Sequence, residues 1–299
     1  MINSKFFGAG VALTTPFHKY GTVDFTSLGA LVEHVIAGGI DYIVALGTTS
    51  EAATLTEDER KAVLDFIIEY TNKRVPIVVG IGGNNTQQLI ETFKHFDFEG
   101  IDAILSVTPY YNKPNQKGLY YHYKSLASIS PLPIILYNVP GRTAVNMNAE
   151  TTLKLAHEFS NIIGIKEASG NMMQIMNILK DKPKNFLTIS GDDSLTDSIV
   201  SLGGAGVISV AANAYPAEFH HLVKAGLKKD FEKAHKINNS LLEFMEAIFE
   251  DGNPGGIKAA LSVMGIMKNN LRLPLVKVNV PTFNKIKTFV EEYKSTLKQ

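Results

Sequence analysis

At 299 residues, with 45 % hydrophobic and 19 % charged residues, the chain is long enough to bury a large core and has the make-up of an ordinary globular protein. Its formal net charge is zero, which argues against a nucleic-acid partner or an anionic membrane surface. It has no cysteine, which excludes a disulfide framework, a thiolate zinc site and a thiol nucleophile. The opening Met1-Ile2-Asn3-Ser4-Lys5 has no basic segment followed by an apolar run, and no stretch of about 18 uninterrupted apolar residues occurs. Neither a signal peptide nor a bilayer span is expected.

Apolar strand-like runs alternate with helical patterns from the N-terminus. Gly8–Leu13 ends at Thr14-Thr15-Pro16. Asp24 is placed to cap a helix over Phe25–Ala37, where Leu28, Leu31, Val32 and Val35 fall at helical spacing. Asp41–Leu46 stops at Gly47-Thr48-Thr49-Ser50-Glu51. Thr56 and Glu59 have capping-box spacing and open a helix to about Tyr70. Val75–Ile81 ends in Gly82-Gly83-Asn84-Asn85, Ala103–Val107 in Thr108-Pro109-Tyr110-Tyr111-Asn112, and Pro133–Tyr137 in Asn138-Val139-Pro140-Gly141-Arg142-Thr143. Ile162–Ile165 delivers Lys166; Phe186–Ser190 runs into Gly191-Asp192-Asp193, and Gly206–Val210 into Ala211-Ala212-Asn213. Eight strands, each followed by a helix, predict a (β/α)8 barrel, because continuous apolar strands suit a parallel sheet covered on both faces. The competing fold, an open doubly wound sheet, calls for a Gly-rich loop after the first strand, where Thr14-Thr15-Pro16-Phe17 stands instead. Beyond Lys228 the strand signal stops, and Phe231–Phe249, Gly256–Lys268 and Thr282–Lys298 read as helices. The expected division is therefore a barrel over residues 1–228 and a helical region over residues 229–299.

Barrel active sites sit at the carboxyl ends of the strands. That rim collects Thr48, Thr49, Tyr110, Tyr111, Tyr137, Arg142, Lys166, Gly191 and Ile208. Burial discourages a lysine from keeping its proton, and a free amine facing a carbonyl compound forms a Schiff base. Lys166 is the candidate nucleophile and Tyr137 a hydroxyl able to pass protons, with Thr48 and Tyr111 placed to extend a relay. The amides of Thr48 and Thr49 suit a carboxylate, and Arg142 suits a second one. Taken singly, each residue has a plainer reading: lysines snorkel, tyrosines pack and threonines cap. Spacing alone leaves a Schiff-base enzyme and a keto-acid-binding barrel both open. Of Asp192 and Asp193, one is expected to cap the next helix rather than to bind metal. The adjacent His220 and His221 face different ways on a helix, and Gly203-Gly204-Ala205-Gly206 reads as a turn on the opposite rim. Gly80, Gly82 and Gly83 lie on the active rim, where a turn is preferred over a phosphate cradle. No metal or cofactor is called for.

The motifs Gly47-Thr48-Thr49-Ser50-Glu51, Pro109-Tyr110-Tyr111-Asn112-Lys113-Pro114, Tyr137-Asn138-Val139-Pro140-Gly141-Arg142-Thr143 and Gly164-Ile165-Lys166-Glu167 occur, in this order, as in the dihydrodipicolinate synthase family. The resemblance covers nearly the whole chain. It implies a cytoplasmic barrel enzyme, a homotetramer built from two tight dimers, that condenses pyruvate with aspartate semialdehyde on the route to diaminopimelate and lysine. It further implies that Lys166 is the Schiff-base lysine and Tyr137 the acid/base. Thr48 and Tyr111 match the relay, Tyr111 acting in the neighbouring subunit; Thr49 and Ile208 match pyruvate-binding positions, and Arg142 the receptor of the semialdehyde carboxylate. Related N-acetylneuraminate lyases and 2-keto-acid aldolases share the lysine and tyrosine, but the lyases typically read Gly-Ser-Thr-Gly-Glu at the first motif and lack the arginine. Two departures from the family stand out. Ser50 replaces a usual glycine, which predicts strain if that position needs positive φ. Ala53, Asn84 and Tyr110 are kept from the lysine-inhibitor site of sensitive relatives, but Glu57, Arg60 and Gln88 replace two histidines and a glutamate, so feedback by lysine is expected to be weak or absent.

Overall fold

The computed structural model describes residues 5–296; the first four residues and Lys298, the expected end of the last helix, lie outside them. The eight apolar runs form parallel strands: β1 (Gly8–Ala12), β2 (Tyr42–Ala45), β3 (Ile77–Gly80), β4 (Ala103–Val107), β5 (Ile134–Asn138), β6 (Ile162–Glu167), β7 (Leu187–Ser190) and β8 (Gly206–Ser209). They pair in sequence order, and β8 returns to β1 through Gly8↔Gly206 and Gly10↔Ile208, so the sheet closes and the open-sheet alternative falls. Closure brings two backbones unusually near. At Gly206 φ is +142°, and a Cβ there would sit 1.8 Å from the Gly8 carbonyl oxygen, so only glycine serves. This is the turn expected on the rim opposite the site.

Strand alternation sorts the apolar residues into two cores. Tyr42, Val44, Val78, Leu105, Ile135, Tyr137, Ile189 and Ile208 fill the barrel interior. Ile43, Ala45, Val79, Ile104, Leu136 and Ile165 face the surrounding helices. The first helix, α1 (Phe25–Ala37), has the expected bounds, and the Asp24 carboxylate accepts from Ser27 N at its start. Thr56 and Glu59 form the expected reciprocal capping box on α2 (Glu57–Thr71). After β8 come α9 (Pro216–Leu227), α10 (Phe231–Glu250), α11 (Gly255–Val263) and α12 (Val280–Thr296). Phe244 of α10 packs against Tyr215 and against Phe289 of α12, with ring centroids 4.8 and 5.3 Å apart. Full burial of one such ring is worth about 1.5–3 kcal/mol, enough to fasten these helices to α9 and the barrel.

Two local expectations need correction. Neither Asp192 nor Asp193 caps the following helix, α8 (Thr196–Ser201), which begins at Leu195 without a side-chain cap. The helix starts too late for them. Asp193 instead reaches across the rim, its Oδ2 accepting the amides of Val210 and Ala211 at 3.1 and 2.8 Å, and burial pushes its carboxyl up to about 6. Asp192 closes a local turn by accepting from Ser194. Nor is Ser50 strained: it ends a 3-10 turn over Thr48–Ser50 and donates its hydroxyl to Gly47 O at 2.7 Å. The left-handed residue is the next one, Glu51, at φ 57°.

Candidate active site

Lys166 enters the barrel because β6 carries one extra residue. Ile134 pairs with Ile162, but the next pair is Ile135 with Gly164, so Ile163 is inserted. Ile163 belongs to the interior, and strict alternation from it would have turned Lys166 outward, toward the helices. The bulge resets the phase. Ile165 then faces out, and Lys166, directly opposite Tyr137 in the register, faces in with only 5 % exposure. Its Nζ lies 4.5 Å from the Tyr137 ring centroid. Gly191 makes room for the chain: a Cβ there would lie 3.1 Å from Lys166 Cε and 2.7 Å from Ala168 Cβ.

The residues that follow Tyr137 and Lys166 keep the two strands in register. Asn138 and Glu167, the next matched pair on β5 and β6, meet through hydrogen bonds from Asn138 Nδ2 to both Glu167 oxygens at 3.1 Å. Gln174 Nε2 and the Ser169 amide donate to the same carboxylate at 2.9 and 2.8 Å. A buried carboxylate with four neutral donations is well satisfied, and losing one donor would weaken the hold on its charge. Glu167 stood in a quoted motif, but nothing local identified its partners.

Around this centre the other candidates fall into two groups. Ile208 is buried in the interior on β8. Thr49 is buried, its Oγ1 accepting from Asn253 Nδ2 at 2.9 Å, whereas Thr48 is exposed on the rim. The first hydrogen bond of their turn runs from Ser50 N to Gly47 O at 3.2 Å, so the amides of Thr48 and Thr49 precede it and point to no turn carbonyl. Arg142, in α5 (Pro140–Thr143), is exposed and donates from Nη2 to Asn253 O at 3.2 Å. Tyr111 stands apart. It is 88 % exposed with φ at 71°, and the chain by itself does not bring it to the others. Gly82 and Gly83 lie in the irregular connection after β3. Asn253 was not anticipated; it lies 204 residues from Thr49.

The site is thus a buried amine and a phenol on adjacent strands, with amides and a guanidinium on the rim. Such a set can form an imine with a keto acid and hold carboxylates on either side. The sequence pattern of the dihydrodipicolinate synthetase family matches residues 5–293. The chain is 50 % identical over 291 residues to the 4-hydroxy-tetrahydrodipicolinate synthase of Parabacteroides distasonis, covering 97 % of each. Its structure superposes on dihydrodipicolinate synthase from Aquifex aeolicus with a TM-score of 0.93 and 40 % identity, covering 97 % of this chain and 98 % of that one. The chloride-inhibited dihydrodipicolinate synthase of Acinetobacter baumannii, solved in complex with pyruvate, gives a TM-score of 0.93 at 40 % identity, over 96 % of this chain and 99 % of that one. Motif order, barrel closure and full-length similarity agree: the chain belongs to the dihydrodipicolinate synthetase family.

Proposed function

We propose that this chain condenses pyruvate with L-aspartate 4-semialdehyde to give 4-hydroxy-tetrahydrodipicolinate, on the route to diaminopimelate and lysine. The observation that carries the reading is the register pair Tyr137↔Lys166 inside a closed barrel. Lys166 Nζ adds to the keto carbon of pyruvate, and the carbinolamine loses water to give an imine. Tyr137 carries protons to and from the departing oxygen, with Thr48 and a neighbouring subunit's Tyr111 linking it to solvent. Loss of a methyl proton turns the imine into an enamine, whose carbon attacks the aldehyde. The substrate's own amine then adds to the imine carbon and releases Lys166, closing the ring; one water leaves overall. In this reading the amides of Thr48 and Thr49 and the wall made by Ile208 hold pyruvate, and Arg142 receives the carboxylate of the semialdehyde.

The same reading treats residues 1–228 as the catalytic barrel, residues 229–299 as a helical region packed against it, and the working form as a cytoplasmic tetramer of two tight dimers. The exposure of Tyr111 supports an assembly in which it enters a partner's site. A substrate panel tests the activity: pyruvate with aspartate semialdehyde is consumed, whereas cleavage of N-acetylneuraminate or of hydroxy keto acids is slow. Faster cleavage than condensation would move the chain to the lyase branch.

A further inference from the structure

The turn that carries Thr48 and Thr49 ends in a residue ill-suited to its backbone. Glu51 adopts φ 57°, a left-handed conformation that L residues other than Asn, Asp and Gly seldom hold without support. Its side chain is fully buried, and both carboxylate oxygens are engaged by the C-terminal region. Oε1 is ion-paired to Lys258 Nζ, and Oε2 accepts the Arg272 amide at 3.0 Å. Lys258, on α11, is itself fully buried. It donates to Asn270 O at 3.0 Å and lies 4.2 Å from the Phe17 ring centroid. Five residues earlier in the chain, Asn253 holds Thr49 through its side chain and Arg142 through its carbonyl.

A buried ion pair adds little net stability over a well-packed apolar pair, because desolvation consumes the Coulomb gain. What it does provide is a directional, long-range constraint. We propose that the buried pair Glu51–Lys258 is a positioning device, through which the C-terminal helices fix the Thr48–Thr49 turn in the geometry that receives the keto-acid carboxylate. The proposal rests on the pyruvate reading of the site. Neither residue touches substrate. Their effect falls on the keto acid, since Glu51 adjoins the turn that holds it.

The test is the variant Glu51→Gln/Lys258→Met, which removes both charges and so leaves no unpaired buried ion. Borohydride trapping at Lys166 is measured against pyruvate concentration, alongside steady-state kinetics with each substrate and thermal unfolding. The expected result is a rise in pyruvate half-saturation of about tenfold or more, since small misplacements of binding groups are costly. The KM for aspartate semialdehyde shifts much less, and the thermal midpoint stays near that of the wild type. Pyruvate half-saturation within twofold of wild type, or equal losses for both substrates, overturns the proposal. Should the double variant not fold, Glu51→Gln/Lys258→Gln, which likewise leaves no buried charge unpaired, is read in the same way, the amide at the first position keeping an acceptor for the Arg272 N–H. Wild-type chain that traps no pyruvate at Lys166 overturns the functional reading and this inference together; normal wild-type trapping with an unaffected variant overturns this inference alone.

Discussion

Replacing Tyr137 by Phe separates the hydroxyl from the ring it sits on. The ring is 7 % exposed and part of the barrel interior, and Phe fills the same volume. Stability should therefore change by no more than about 1.5 kcal/mol. The face over which Lys166 Nζ lies at 4.5 Å is retained, so the amine keeps its place. What disappears is the proton carrier for carbinolamine collapse. A positioned acid/base contributes about 10²–10⁴ in rate, or about 2.7–5.4 kcal/mol on the barrier. The assay is coupled turnover of pyruvate and aspartate semialdehyde, with single-turnover trapping of the imine and a thermal melt on the same preparation. We expect kcat to fall by that factor, trapping to slow in parallel and the melt to stay put. Turnover within about threefold of wild type would refute the relay, and a collapse of the melt would show that the hydroxyl is structural.

Three further outcomes are expected. Mixed oligomers of inactive Tyr111→Phe and inactive Lys166→Ala chains should regain some activity, because the proposed assembly has the exposed Tyr111 entering a neighbour's centre; hybrids shown to form yet remaining dead would confine it to its own chain. Glu59 accepts from both Arg272 terminal nitrogens, and that guanidinium holds its carboxyl down to about 2, against an ordinary 4.5. The folded state therefore binds this proton less readily than the unfolded one, so the stabilisation is complete above pH 4.5 and is lost as pH falls through 2. Glu59→Gln should cost about 1–2 kcal/mol in denaturant titrations at neutral pH and progressively less toward pH 2, whereas a gap that ignores pH would contradict the assignment. Free lysine should inhibit weakly: a neutral Gln88 forfeits about 1.5–3 kcal/mol of charge-assisted bonding, and half-inhibition below about a millimolar would contradict this. Arg60, bonded through Nε to the carbonyls of Ala52 and Leu55, keeps a cation beside the segment that carries Ala53.

What could be read along the chain was whatever the chain decides locally. Apolar runs ending in chemistry-bearing residues marked the strands, and the Thr56–Glu59 spacing marked a helix start that formed as drawn. Lys166 and Tyr137 were visible because each closes such a run. Their meeting depended on a one-residue bulge at Ile163, which no periodicity announces, since a bulge is a change of phase within an unbroken apolar segment. Longer-range partners were hidden more completely. Lys258 is 207 residues from Glu51, and a lysine within an apolar helix looks like any other until tertiary packing buries it. Asp193 looked like a cap because its spacing to a helix is a local cue; its true partners, Val210 and Ala211, lie on the next strand's loop. Ser50 looked strained by comparison with glycine, yet the turn passes the left-handed conformation to Glu51.

The central claim is that Lys166 is the amine that bonds to pyruvate. Incubation with pyruvate and borohydride, followed by proteolysis and mass spectrometry, tests it most directly. The account predicts one reduced adduct, on Lys166, absent from Lys166→Arg, whose guanidinium stays protonated and forms no such imine. An adduct on another lysine, or none from active enzyme, would contradict it.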